Sequence, residues 1–129
     1  MNYNTAFSKF FAFATVLLLG AASGRSSEVD FHKDILPILE FNCVSCHQES
    51  DIKGELRMDV ASYFFEGGSQ GPALVKGDPD ASLIMDLVTL PETDPDVMPP
   101  QGRLLTEEEV AKLSQWIKEG AKWPEDVVL

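Results

Sequence analysis

The stretch Cys43-Val44-Ser45-Cys46-His47 constrains this chain more than any other. It holds both cysteines of the 129-residue sequence and one of its two histidines. Two thiols separated by two residues, with an imidazole directly after, form the C-x-x-C-H signature of covalent haem attachment. Each thiol adds to one vinyl group, and the histidine then lies under the ring with a nitrogen aimed at iron. Other uses of the same residues fit less well. A disulfide across two intervening residues closes a very short loop and leaves His47 unexplained. A thiol oxidoreductase needs a thioredoxin-like βαβ setting, and no strand pattern surrounds the motif. Structural zinc wants four ligands, and beyond Cys43, Cys46 and His47 only the distant His32 is on offer.

The length gives room for one domain and a short processing segment. Residues 1–24 read as a secretory signal: Lys9 supplies the positive start, Phe10 to Leu19 the apolar run, and Gly20-Ala21-Ala22-Ser23-Gly24 the small residues at a cleavage site. The run falls short of the ~20 residues of a membrane span. The expectation is export to the periplasm, with a membrane as partner only if the segment stays uncleaved. Residues 25–129 then form the haem domain. A domain of this size builds a marginal core unaided, and a covalent haem would act as staple and filling together. The chain carries 10 basic against 21 acidic side chains, a net charge of −11. That balance speaks against nucleic acid or anionic lipid and is compatible with docking to a basic protein face.

Phe31, Ile35, Ile38 and Leu39 fall at helical steps and lead into Cys43, so a first helix delivers the motif at its C-terminal end. Pro37 either sits in its first turn or kinks a helix begun at Asp30. Gln48 to Arg57 is polar and turn-like. Short helices are expected over 58–65, stopped by Gly67-Gly68, and over 81–90, capped by Asp80. Residues 91–103 form a proline-rich loop. Thr106 and Glu109 make a capping box for a last helix over 107–119, ended by Gly120. No alternating pattern appears, so the expected class is all-α with long loops.

Four side chains compete for the second axial position on iron: Met58, Met85, Met98 and His32. Met58 and Met85 lie in apolar helical surroundings where methionine is usually filling, and His32 sits near a helix start. Met98 lies in a polar loop and is followed by Pro99-Pro100, which stiffen the backbone around a weak thioether ligand. Met98 is therefore the candidate, with an open or water-bound site as its rival.

The spaced blocks Cys43-x-x-Cys46-His47, Lys53-Gly54-x-Leu56-Arg57-x-Asp59, Gly67-Gly68-x-x-Gly71-Pro72-Ala73, Met98-Pro99-Pro100 and Trp116-Ile117-x-x-Gly120-Ala121-x-Trp123-Pro124 closely resemble the planctomycete-type cytochrome c domain over about residues 29–124. The resemblance implies a small class I cytochrome c-like fold, with crossing first and last helices around one covalent haem c and its iron. It also implies that the Pro72 carbonyl accepts a hydrogen bond from His47, and that Lys53, Arg57 or Arg103 neutralise the propionates. Members of this family are often the front part of larger multidomain proteins.

Together these readings point to a monohaem electron carrier rather than an enzyme, exchanging electrons with redox protein partners as a free shuttle or as the docking piece of one enzyme. The alternative is a haem-based sensor or a peroxidase-like protein with an open sixth iron position.

Overall fold

The first helix begins at Asp30, whose carboxylate accepts from the Lys33 amide at 3.0 Å. Its opening stretch, Phe31–Ile35, is a π-helical turn, and Leu36–Asn42 continues it as α1. Pro37 accounts for the change of winding. It stands in the first turn of α1 and has no amide to give to the turn before. The wider turn instead lets the Leu36 amide reach the Phe31 carbonyl. The computed structural model describes residues 28–129, so the secretory segment read at residues 1–24 lies outside the described residues.

After α1 the chain makes a hairpin too short to have shown in the sequence. Strand β1 (His47–Gln48) pairs antiparallel with β2 (Asp51–Ile52), with His47 opposite Ile52 and Gln48 opposite Asp51. A 3₁₀ turn, Lys53–Glu55, follows. This small sheet corrects the all-α expectation: the domain is small and mixed, helices with a two-stranded antiparallel sheet. Alternation of side chains needs several residues per strand to be visible, and these strands have two residues each.

Helix α2 (Ala61–Glu66) ends at Gly67, whose φ of 94° is open to glycine. Helix α3 (Leu83–Val88) starts later than the sequence suggests, with Ser82 rather than Asp80 at its N-cap. The Ser82 hydroxyl donates to the Asp78 carbonyl at 2.7 Å and accepts from the Val75 amide at 2.9 Å, so it ties down the preceding loop and leaves the helix amides without a side-chain cap. Helix α4 (Glu107–Lys118) carries the complete Thr106/Glu109 capping box.

The core is built where the π-turn packs on α4, with α1 continuing from that turn. Phe31, Ile35, Ile38 and Leu39 pack with Leu113, Trp116 and Ile117, joined by Phe64 of α2 and by Ile84 and Val88 of α3. Phe64 lies nearly parallel to Trp116, centroids 6.4 Å apart, and Trp123 closes over Phe31 at 4.8 Å. Both indoles are satisfied, Trp116 donating to the Lys122 carbonyl and Trp123 to the Val127 carbonyl. The tail returns to the body through an antiparallel bridge between Val60 and Val128. Among the described residues no helix is long and apolar enough to cross a membrane.

Candidate functional site

The end of α1 turns the motif back on itself. The Leu39 carbonyl accepts from both Cys43 and Val44 amides, at 2.9 and 3.0 Å. The His47 amide in turn reaches the Cys43 and Val44 carbonyls, each at 3.1 Å. These turns bring Cys43, Cys46 and His47 to the wall of one cavity of about 780 Å³, a size usual for small-molecule and cofactor sites. Both cysteines are free thiols. Burial pushes the Cys43 thiol up to about 12, with Cys46 beside it adding to the effect, so Cys43 is protonated at neutral pH.

The hairpin explains how His47 is held. Reversing the chain at residues 49–50 returns Lys53 to the histidine, and the Lys53 amide donates to the Cys46 carbonyl at 3.1 Å. The Lys53 carbonyl then lies 3.0 Å from Nδ1 of the His47 ring. A carbonyl can only accept, so Nδ1 carries the proton and the Nε2 lone pair remains free for a metal. Pro72, which the resemblance put against this imidazole, is exposed and stands apart from the cavity wall. The hydrogen-bond acceptor is the Lys53 carbonyl instead, because the hairpin brings that turn back beside the ring.

Met98 lines the same cavity as His47. Its amide donates to the Leu87 carbonyl near the end of α3 at 3.0 Å, and a cis peptide joins it to Pro99. Buried Met58 is also on the wall, together with Ile84, Val88 and Leu105. Met85 is half-buried against the core, and exposed His32 lies beside Phe31. Of the three cations considered for propionates, Lys53 and Arg103 reach the cavity rim. Arg57 does not: it is paired with Asp59 at 2.7 Å and lies over the Tyr63 ring. Arg103 is held by both oxygens of Glu109, at 2.6 and 2.8 Å. That contact, with the Thr106 amide and hydroxyl, lowers the Glu109 carboxyl to about 2. Phe41, 81% exposed, stands at the cavity mouth.

Two free thiols, an imidazole with Nε2 unengaged and a thioether share one apolar-walled cavity, and that donor set suits a covalent porphyrin. Among the described residues no cluster of three or more His, Cys, Asp or Glu side chains converges to hold a bare ion. Motif and cavity together are those of a c-type cytochrome.

Comparison with family models narrows the class. Residues 43–102 match the family described as Planctomycete cytochrome C. The resemblance drawn from the spaced motifs is thus borne out over residues 43–102, and that family implies covalent haem c with its iron as cofactor. Neither the curated proteins nor the solved structures gave a match.

The hairpin, the Lys53 carbonyl and the Arg103–Glu109 pair were not foreseen in the sequence. Only the last left a signal: a capping-box glutamate with an arginine a few residues upstream.

Proposed function

We propose that the chain is an exported monohaem c-type cytochrome that carries single electrons, with His47 and Met98 as the side chains that would hold the iron. The observation that carries this reading is that Cys43, Cys46, His47 and Met98 line one cavity. Haem held there would supply a one-electron ferric/ferrous couple for exchange between a donor and an acceptor protein.

The chain's own residues do the rest. Cys43 and Cys46 anchor the porphyrin through thioethers. The Nδ1–H bond to Lys53 fixes the plane and basicity of the His47 ring. Met58, Ile84, Val88 and Leu105 keep water from the ring faces, and a dry surround tunes the potential. Lys53 and Arg103 stand at the rim as the cations for the propionates. Residues 1–24 serve as a cleaved signal that sends residues 25–129 to the periplasm, and the acidic surface suits partners with a basic docking face.

The test is a haem-stained gel and optical spectra of both redox states, on protein made in a host that matures c-type haem, with Met98→Ala beside it. Stain surviving denaturation, and a sulfur-to-iron charge-transfer band that disappears in Met98→Ala, are the expected results. Protein without covalent haem refutes the reading. A spectrum unchanged by Met98→Ala refutes methionine ligation and leaves the sensor or peroxidase-like alternative.

A further inference from the structure

We propose that Gly68 is a positioning residue for the His47 imidazole, acting through the turn at Lys53–Glu55. The inference rests on the reading of His47 as the iron ligand and adds what sets that ligand's orientation. Gly68 is not among the glycines with positive φ, so its backbone does not require glycine. What requires glycine is proximity. A Cβ at this position meets the Gly54 carbonyl oxygen at 2.5 Å, with the Leu56 Cβ at 3.0 Å and the Leu56 amide nitrogen at 3.1 Å. Two of these three are main-chain atoms, which cannot rotate aside. The next residue completes the strap, since the Ser69 amide donates to the same Gly54 carbonyl at 2.8 Å.

That carbonyl belongs to the peptide adjoining the one that holds the histidine. The Lys53 carbonyl accepts from the Leu56 amide at 3.2 Å and from His47 Nδ1 at 3.0 Å, which uses both of its lone pairs. The position of the Gly68–Ser69 strap therefore sets the turn, and the turn sets the ring. A methyl at Gly68 needs the neighbouring oxygen to retreat from 2.5 Å to at least 3.0 Å, a shift of half an ångström or more. A movement of that size in the turn takes the 3.0 Å Nδ1 contact outside the ordinary N–H···O range of about 2.7–3.2 Å. A weaker acceptor on Nδ1 makes the ring a poorer donor to ferric iron, which raises the reduction potential.

The experiment uses haem-loaded protein: wild type, Gly68→Ala, and Gly77→Ala as control. Gly77 has φ +87° and open space at its Cβ, so alanine there strains the backbone without touching the turn. The measurements are hydrogen–deuterium exchange of the His47 Nδ1 proton by NMR in the ferrous state, and the reduction potential. Gly68→Ala is expected to keep its covalent haem, to exchange this proton at least tenfold faster, and to have a higher potential; Gly77→Ala is expected to change neither. Wild-type exchange and potential in Gly68→Ala overturn the proposal, as do equal changes in Gly77→Ala, which would mark a general loss of stability. If Gly68→Ala does not fold, Gly54→Ala loosens the same turn through its φ of +63° with nothing near its Cβ, and the same two shifts are required of it. Failure of the haem reading looks different: the wild type itself carries no covalent haem or lacks histidine coordination.

Discussion

Glu109 joins the last helix to the rim of the cavity, and its removal has a calculable consequence. Its carboxylate closes the capping box by accepting from the Thr106 amide at 2.8 Å, and holds Arg103 with both oxygens. Loss of a capping interaction costs about 1 kcal/mol. The charge in the first turn of α4 adds about 0.5 kcal/mol, and alanine's better helix propensity returns a few tenths. The Arg103 side chain is more than half exposed, so its contact adds only a solvent-screened increment. Glu109→Ala is therefore expected to lower stability by about 1–1.5 kcal/mol at pH 7. The dependence on pH has a definite sign. The folded carboxyl titrates near 2, below its ordinary value of 4.5, so its contribution is full above about 4.5 and disappears as pH falls through about 2. Guanidinium unfolding of the haem-loaded protein, followed by release of tryptophan fluorescence at pH 7, 4 and 2, measures the difference. A gap between wild type and Glu109→Ala that stays constant down to pH 2 refutes this assignment, as does no gap at pH 7.

Other expectations follow from the core and the motif. Phe64 is fully buried between Trp116 and Phe65, so Phe64→Ala is expected to cost about 3–5 kcal/mol in the same unfolding assay; a loss below 1 kcal/mol contradicts the packing. Cys46→Ala is expected to leave haem held by a single thioether with one vinyl group unreacted, visible as a red-shifted reduced spectrum. Cys43→Ala with Cys46→Ala together is expected to leave no haem on a denaturing gel.

Most of the helical frame could be read from the sequence because each element announces itself locally. Phe31, Ile35, Ile38 and Leu39 have helical spacing, Gly67 and Gly120 mark ends, and the Thr106/Glu109 box needs only four residues. The hairpin had no such signature. Its strands are two residues long and polar at three of four positions, and they sit where the chain reverses after α1. The Lys53 carbonyl stayed hidden for a related reason: a main-chain acceptor has no side chain to betray it, and only tertiary geometry decides which carbonyl meets Nδ1. The same ambiguity led to Pro72, which has the right neighbours but is itself exposed and off the cavity wall. At Ser82 and Asp80, two adequate capping residues stood close together, and the demand of the Asp78 and Val75 backbone for a hydroxyl settled which one stands at the helix start.

The two sides of the cavity are held by different means, and one more prediction comes from the contrast. His47 is fixed by bonds to its own amide, to its carbonyl from the Met58 amide at 2.7 Å, and to its ring. Met98 has one main-chain bond, to the Leu87 carbonyl, and is followed by two prolines without amides to give. The distal loop is anchored next at Arg103, through Glu109. Releasing that second anchor loosens the stretch between Met98 and Leu105, while the proximal turn keeps all its bonds. Glu109→Ala is therefore expected to lose the sulfur-to-iron charge-transfer band at a lower temperature than wild type, well before global unfolding, with the haem still covalently attached. Wild type is expected to move toward the variant's behaviour as pH falls through about 2, because protonation of Glu109 releases the same arginine. If the band persists to the unfolding midpoint in both proteins, the Leu87 bond and the two prolines hold Met98 without help, and the Arg103–Glu109 pair serves the helix alone.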